Sequence, residues 1–552
     1  MKTVICMLNS KYIHSSLAPW CLSASVKAYC DDSVQSKVIE GTVNEKISDV
    51  AHRLMNENAD VIAFCCYIWN INYVYELCDI IKGNQSVKIV LGGPEVSYNC
   101  CDVLKNNKCI DYVLCGEGEE SFPQLCNKLN GKDVQVSGLC YRENGNISVS
   151  PVERLKNEPV SPYTQEYFNS LNGRIAYIET SRGCPFSCAF CLSGNDKGVR
   201  FFDIERVENE ILALASSGTQ TVKFVDRTFN ANTIRANRII SFIIDNYRKR
   251  IPENVCFHFE VDGGTLKEST VELLKNAPQG LFQLEVGLQS FNKNTLSAVN
   301  RNPDTRKLTE MIKRLVGFGN MHIHVDLIAG LPFENLDSFK DSFNMLYALK
   351  PNMLQLGFLK LLHGSELRKK SESFGCIFDE NAPYQVVSTD CLSEKDLKII
   401  HCAEDGLERM YNSGRFLATL DYLIDECKFE PFDLFYEIGK LTSDKVNIPL
   451  DDYLTLVYNS LVKRCDSSVL RDRMVCDRLA SNSSGVLPAC LKIEDKRLKR
   501  IKKHICEDVV KLNGKISVAI LYSENRVVYC DYHERNKISD NYTLSFLELN
   551  TL

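Results

Sequence analysis

Three cysteines sit close together in "ETSRGCPFSCAFCLSG" (179–194): Cys184, Cys188 and Cys191, spaced C-x3-C-x2-C. Thiolates are soft ligands that suit zinc and iron–sulfur clusters. A structural zinc site or a fully protein-ligated cluster usually takes four protein ligands. The nearest other cysteines are Cys140 and Cys256, and neither belongs to a local motif. Zinc would need a fourth ligand, and the loop holds no further cysteine or histidine. Three thiolates on a [4Fe–4S] cluster would instead leave one iron open to a small molecule that chelates through an amine and a carboxylate.

Two polar, glycine-bearing stretches also follow apolar runs: "LGGPEVSYN" (91–99) and "CGEGEES" (115–121). Gly92, Gly93, Gly116 and Gly118 let the backbone approach a ligand closely; a plain turn would use the same residues. "YIWN" (67–70) places Tyr67 and Trp69 just after another apolar run.

Residues 1–150 alternate apolar β-rich runs ("KTVICML", "DVIAFCCYIW", "VKIVLGG", "DYVLCGEGEE") with segments of helical periodicity, including "SSLAPWCLSASVKAYC" with serine as its expected N-cap. That alternation predicts a doubly wound, Rossmann-like parallel sheet, which binds ligands beyond the carboxyl ends of its strands. "CYRENGNISV" reads as a hairpin turning on Asn-Gly, and 151–171 as a linker. From 172 to 368 the alternation restarts. "RIAYIET", "TVKFVDRTFNAN", "CFHFEVDGG", "LFQLEVGLQSFN", "HIHVDLIAGLPFE" and "MLQLGFLKLLHGSEL" predict a partial (β/α)6 TIM-like barrel. Such barrels carry their reactive groups where strands end, which is where the cysteine loop lies. Residues 369–552 read as mostly helical, closing with the hairpin "KISVAILYSENRVVYCDYH"; their nine cysteines form no cluster motif, so one iron–sulfur cluster is expected.

With 552 residues, 44% hydrophobic and 25% charged, the composition is that of a multi-domain globular protein. A formal net charge of -6 argues against a chain-wide nucleic-acid surface, and the basic run at 492–504 reads as a solvated helix face. No uncharged apolar stretch reaches about 18 residues, so no membrane span is expected. The first residues read as a strand rather than a secretory signal. Most of the 25 cysteines lie in apolar runs, as expected for reduced core thiols in the cytoplasm of an anaerobe.

C-x3-C-x2-C, with Phe190 before the last cysteine and a strand before the loop, resembles the radical S-adenosylmethionine superfamily. The resemblance implies that the open iron binds S-adenosylmethionine, whose reductive cleavage gives a 5'-deoxyadenosyl radical. It places Asp226 and Thr228 toward the methionine amine, Glu285, Gln289 and Ser290 toward ribose and methionine, and Gly330 and Pro332 near adenine. "KYIHSSLAPWCLSA", "LGGPE" and "GEGE" ahead of this barrel resemble the cobalamin-binding, class B-like members. This implies a corrin over Gly92, Gly93, Gly116 and Gly118, with Trp69 beneath it. The cobalt-ligating D-x-H-x-x-G of many cobalamin proteins is absent; the first domain's histidines are His14 and His52. The C-terminal region resembles an uncharacterised extension of one clostridial-type subgroup. The implied activity is methyl transfer to an unactivated carbon of a small molecule, with a flavodoxin or ferredoxin as electron donor. A radical rearrangement, cyclisation or bond cleavage, on a small molecule or modified nucleobase, stays open. So do a corrinoid carrier or sensor without radical chemistry, and a first domain that has lost cobalamin.

Overall fold

The computed structural model describes all residues except 196–197, 444, 510–514, 534 and 552. The chain divides into two compact units: 1–276 with 298–301 and 359–387, and 277–297 with 302–358 and 388–552.

The first unit opens with β1 (Lys2–Asn9), β2 (Gln35–Thr42), β3 (Val61–Cys65), β4 (Lys88–Gly92), β5 (Tyr112–Leu114), β6 (Leu139–Glu143) and β7 (Asn146–Val149). They form one sheet in the order β2-β1-β3-β4-β5-β6-β7. β1 to β5 pair in parallel, and the expected Asn-Gly hairpin adds β6 and β7 antiparallel at the edge. Period-two alternation explains why both faces are covered. Val4, Cys6 and Leu8 of β1 pack with Val50, Val74 and Leu77 of the helices on one face. Ile5 and Met7 pack with Val26 and Phe122 of the helices on the other. The order reverses at β1, so a crevice opens beyond the carboxyl ends of β1 and β3.

The first helix, Ala18–Tyr29, begins later than its serines suggested and has Leu17 at its N-cap, without a side-chain cap. Pro19 in the first turn already removes one N–H that would need a partner. Ser15 instead donates to the Ile175 carbonyl, and Ser16 to Asn9.

Six parallel strands follow: β8 (Ala176–Ile178), β9 (Thr221–Phe224), β10 (Cys256–Val261), β11 (Phe282–Gln289), β12 (His322–Ala329) and β13 (Met353–Phe358). Within the first unit β8, β9 and β10 pair in parallel, and within the second β11, β12 and β13 do, each set an arc of the expected partial barrel. Within the second unit, a largely helical region covers 394–504 and ends in an antiparallel sheet of β14 (Ser517–Leu521), β15 (Arg526–Cys530) and β16 (Ser545–Glu548). The expected terminal hairpin is therefore three-stranded. Its third member, "SFLE", is too short to stand out by alternation, and pairing with β15 defines it. In the basic run, Ile501 is buried and the lysines are exposed.

Candidate active site

The cysteine loop leaves the end of β8. Thr180 donates to the buried Asp226 carboxylate through its N–H (2.9 Å) and hydroxyl (2.7 Å), and Ser181 donates through its hydroxyl. Burial pushes Asp226 up to about 6, against the pull of these hydrogen bonds. Asp226 thus ties the ends of β8 and β9 together. Gly183 follows at φ +98°, where a Cβ would meet the Gly198 carbonyl oxygen at 2.3 Å, so only glycine turns the chain there. Cys184 comes next, its sulfur 3.4 Å from the Thr228 hydroxyl. The Cys191 N–H closes a turn onto the Cys188 carbonyl at 3.0 Å. The Ala189 N–H donates to Val299 (3.0 Å), and the Ala189 carbonyl accepts from Leu367 (2.8 Å). Arg301 reaches the Cys188 sulfur at 3.7 Å. Burial raises the Cys188 thiol, and Arg301 opposes that rise.

The three thiols suit a cluster that needs only three protein ligands, since the loop supplies no fourth for zinc. Zn–S bonds of about 2.3 Å put tetrahedral ligands about 3.8 Å apart. Cys184, Cys188 and Cys191 do not form a set with all sulfurs within 4.8 Å of one another, yet all three are free, partly accessible and on one loop. Phe190, which precedes Cys191 in the chain, is half-buried.

Two residues before Cys184, Arg182 gathers three carboxylates: Glu117 at 3.0 Å, Glu119 at 2.7 Å and Glu179 at 2.7 Å. Arg200 also pairs with Glu117. Burial works against the Glu117 charge, but Arg200, the Leu155 N–H and Arg182 together hold its carboxyl below the usual range. The acids of "CGEGEES" therefore clamp the cysteine loop to the first sheet.

A cavity of about 700 Å³ lies at the carboxyl ends of β1, β3, β4 and β5. Trp69, Gly92, Gly93, Gly116 and Gly118 line it, as do Arg182, Gly183 and Ser193 from the cysteine loop. Gly93, at φ +116°, would put a Cβ 2.5 Å from the Cys66 carbonyl oxygen, so its side of the cradle stays bare. Tyr67 and Trp69 stack in near-parallel planes, ring centroids 4.5 Å apart, and the Trp69 indole N–H donates to Leu8 at 3.1 Å. Fixed aromatic faces beside bare backbone suit a large planar group such as a corrin. Sequence reasoning passed over His14, which lines the cavity with Nδ1 2.8 Å from the Tyr177 hydroxyl. His52 is exposed on the helix Ile47–Met55.

The remaining predicted residues belong to the second unit. Glu285 on β11 neighbours His324 on β12 (4.0 Å), whose other ring nitrogen lies 3.0 Å from Asp326. Gln289 takes φ +74° where the β11–β12 register shifts, at the end of its strand. Gly330 and Pro332 are buried just after β12. Ser290, fully buried, donates to Glu334 at 2.6 Å.

Burial pushes Glu334 up to about 7 from 4.5, although Ser290 and Ser342 donate to it. Between those pH values the folded chain keeps a proton that the unfolded chain has released, so stability falls as pH rises through the window. Glu334→Gln is expected to remove that slope, a difference of order 3 kcal/mol between the ends of the window. Denaturant titrations at several pH values check this, and parallel profiles for both proteins would refute it.

Residues 4–126 match the B12 binding domain and residues 178–346 the radical SAM superfamily. Residues 372–531 match a family described as proteins of unknown function (DUF4080). A region similar to the radical SAM superfamily thus follows one similar to the B12 binding domain. It is 26% identical over 312 residues to an uncharacterized methyltransferase of Pyrococcus horikoshii, covering 54% of this chain and 66% of the relative. It is 25% identical over 321 residues to the cobalamin-dependent radical SAM methyltransferase TokK of Streptomyces tokunonensis, covering 52% and 44%. It therefore spans less than two thirds of the length of either. In fold it is similar to the cobalamin-dependent S-adenosylmethionine radical enzyme OxsB, solved with aqua-cobalamin bound. There the TM-score is 0.61 at 15% identity, over 92% of this chain and 84% of that one.

Proposed function

We propose that this chain is a cobalamin-dependent radical methyltransferase that alkylates an unactivated carbon of a small molecule. The observation that carries the reading is the shared wall of the cavity: the glycine turns of the first sheet and the approach to the cysteine loop line one space. When bound, a [4Fe–4S] cluster supplies the electron that cleaves S-adenosylmethionine, and cobalamin supplies the methyl carrier.

In this proposal residues 1–150 hold the corrin and residues 172–368 form the barrel. The segment 151–171 links them, and 369–552 shields the substrate. Cys184, Cys188 and Cys191 hold the cluster, with Thr228 and Arg301 setting the orientation and charge of two of the thiolates. Asp226 is a positioning residue, since it fixes Thr180 and Ser181. Phe190, Glu285, Gln289, Ser290, Gly330 and Pro332 surround S-adenosylmethionine. Trp69 and the four glycines bound the corrin. The electron donor is a flavodoxin or ferredoxin. Among the described residues no helix is long and apolar enough to cross a membrane.

Anaerobic incubation with methyl-deuterated S-adenosylmethionine, cobalamin, reductant and a small-molecule extract is expected to yield 5'-deoxyadenosine, S-adenosylhomocysteine and a deuteromethylated product. The radical and the methyl donor must both come within a few Å of one substrate carbon, so all three should rise together. Turnover that makes 5'-deoxyadenosine without label in any product would replace methylation with rearrangement, cyclisation or cleavage.

A further inference from the structure

Cysteines from three separate segments converge toward the β5–β6 side of the first sheet. Cys100 and Cys101 open the helix Cys100–Asn106. Cys115 follows β5, and Cys140 lies on β6 opposite Val113. The sulfurs of Cys100, Cys101 and Cys140 all lie within 4.8 Å of one another. The buried Cys115 thiol adjoins that of Cys100 and acts on it electrostatically, outside the set of three. All four are free thiols.

Buried cysteines usually pack as isolated small hydrophobes, and most of this chain's do. Among the described residues, no other set of three cysteines is gathered this closely. For Cys100, Cys101 and Cys140 the 4.8 Å bound is compatible with thiolates around one tetrahedral ion, whose sulfurs lie about 3.8 Å apart. Cys100, Cys115 and Cys140 are buried while Cys101 is partly exposed, which leaves an entry path. Burial and the neighbouring Cys100 raise the Cys101 thiol, and Lys105, one helical turn on, opposes that rise.

We propose that Cys100, Cys101 and Cys140, already gathered, form with the adjoining Cys115, drawn in on binding, a structural site for one zinc-class divalent cation. Four S–H bonds break, four metal–sulfur bonds form, and four protons leave to solvent; nothing is oxidised or reduced. The ion would join the helix Cys100–Asn106, the end of β5 and the neighbouring antiparallel strand β6. Cys115 directly precedes Gly116, so the ion would also brace the turn that lines the cavity.

The test measures zinc and iron together in the full chain, purified without oxygen and incubated with one equivalent of zinc. About one zinc per chain is expected, with a sulfur-only shell at about 2.3 Å in X-ray absorption at the zinc edge. Cys101→Ser and Cys140→Ser should each lower zinc at least about tenfold, with iron unchanged. Cys126→Ser, a buried cysteine outside the cluster, should keep it. If Cys140→Ser fails to fold, the partly exposed Cys101 variant decides, together with a chelator wash that should lower the melting temperature of the wild type but not of Cys101→Ser. Absence of zinc from the wild type overturns the proposal. So does zinc retained in the Cys101 variant, or zinc lost only when Cys184, Cys188 and Cys191 are replaced. The iron reading is independent of the outcome, so failure here leaves the radical chemistry standing.

Discussion

Arg182→Met is expected to destabilise the first unit by about 3–5 kcal/mol, the usual cost of removing one partner from a buried ionic group. The guanidinium faces Glu117, Glu119 and Glu179, and its side chain is only 18% exposed. Methionine matches much of the volume but leaves two of these carboxylates without their arginine, while Glu117 keeps Arg200. Arg182→Lys should cost less, since it keeps the charge and loses the fork that meets several oxygens at once. The check is the first transition in anaerobic denaturant unfolding, followed by the intrinsic fluorescence of the first unit's two tryptophans, Trp20 and Trp69. A loss below about 1 kcal/mol would show a network no stronger than surface ion pairs. The same variant should retain less cobalamin, because Glu117 and Arg182 line the cavity. Unaltered retention would separate the clamp from the cofactor cradle.

Replacing Cys184, Cys188 and Cys191 together with alanine is expected to abolish the cluster. After anaerobic reconstitution the wild type should carry about four irons and about four sulfides per chain, and the triple variant almost none. The loop's backbone is held independently of its thiols, through Asp226, Gly183 and the Ala189 hydrogen bonds. The variant should therefore fold and retain cobalamin while losing all formation of 5'-deoxyadenosine. About eight irons in the wild type would reveal a second cluster. Iron surviving in the variant would place the cluster elsewhere in the chain.

Some of this was legible in the sequence because it is local. Cys184, Cys188 and Cys191 share one loop, so their spacing reports a three-ligand site without any fold. Apolar runs such as "VIAFC" mark doubly covered strands, since no polar face is needed where helices cover both sides. A ligand crevice at the ends of parallel strands follows from chain connectivity, which is why Gly92, Gly93, Gly116 and Gly118 reach the same cavity.

What the tertiary structure decided involves partners distant in sequence. Arg182 could have met any of 71 acidic residues; the sheet and the β8 exit choose Glu117, Glu119 and Glu179. Asp226 stands at a strand end, and the approach of β9 to β8 delivers Thr180 and Ser181 to it, partners that no local pattern announces. His14 reaches the cavity because an isolated parallel bridge carries its segment to Ile175, beside Tyr177. Cys100, Cys101, Cys115 and Cys140 form no motif along the chain and come together only when β6 turns back antiparallel on β5. Periodicity reports which face a residue takes, whereas the identity of its neighbour across that face is set by register and strand order.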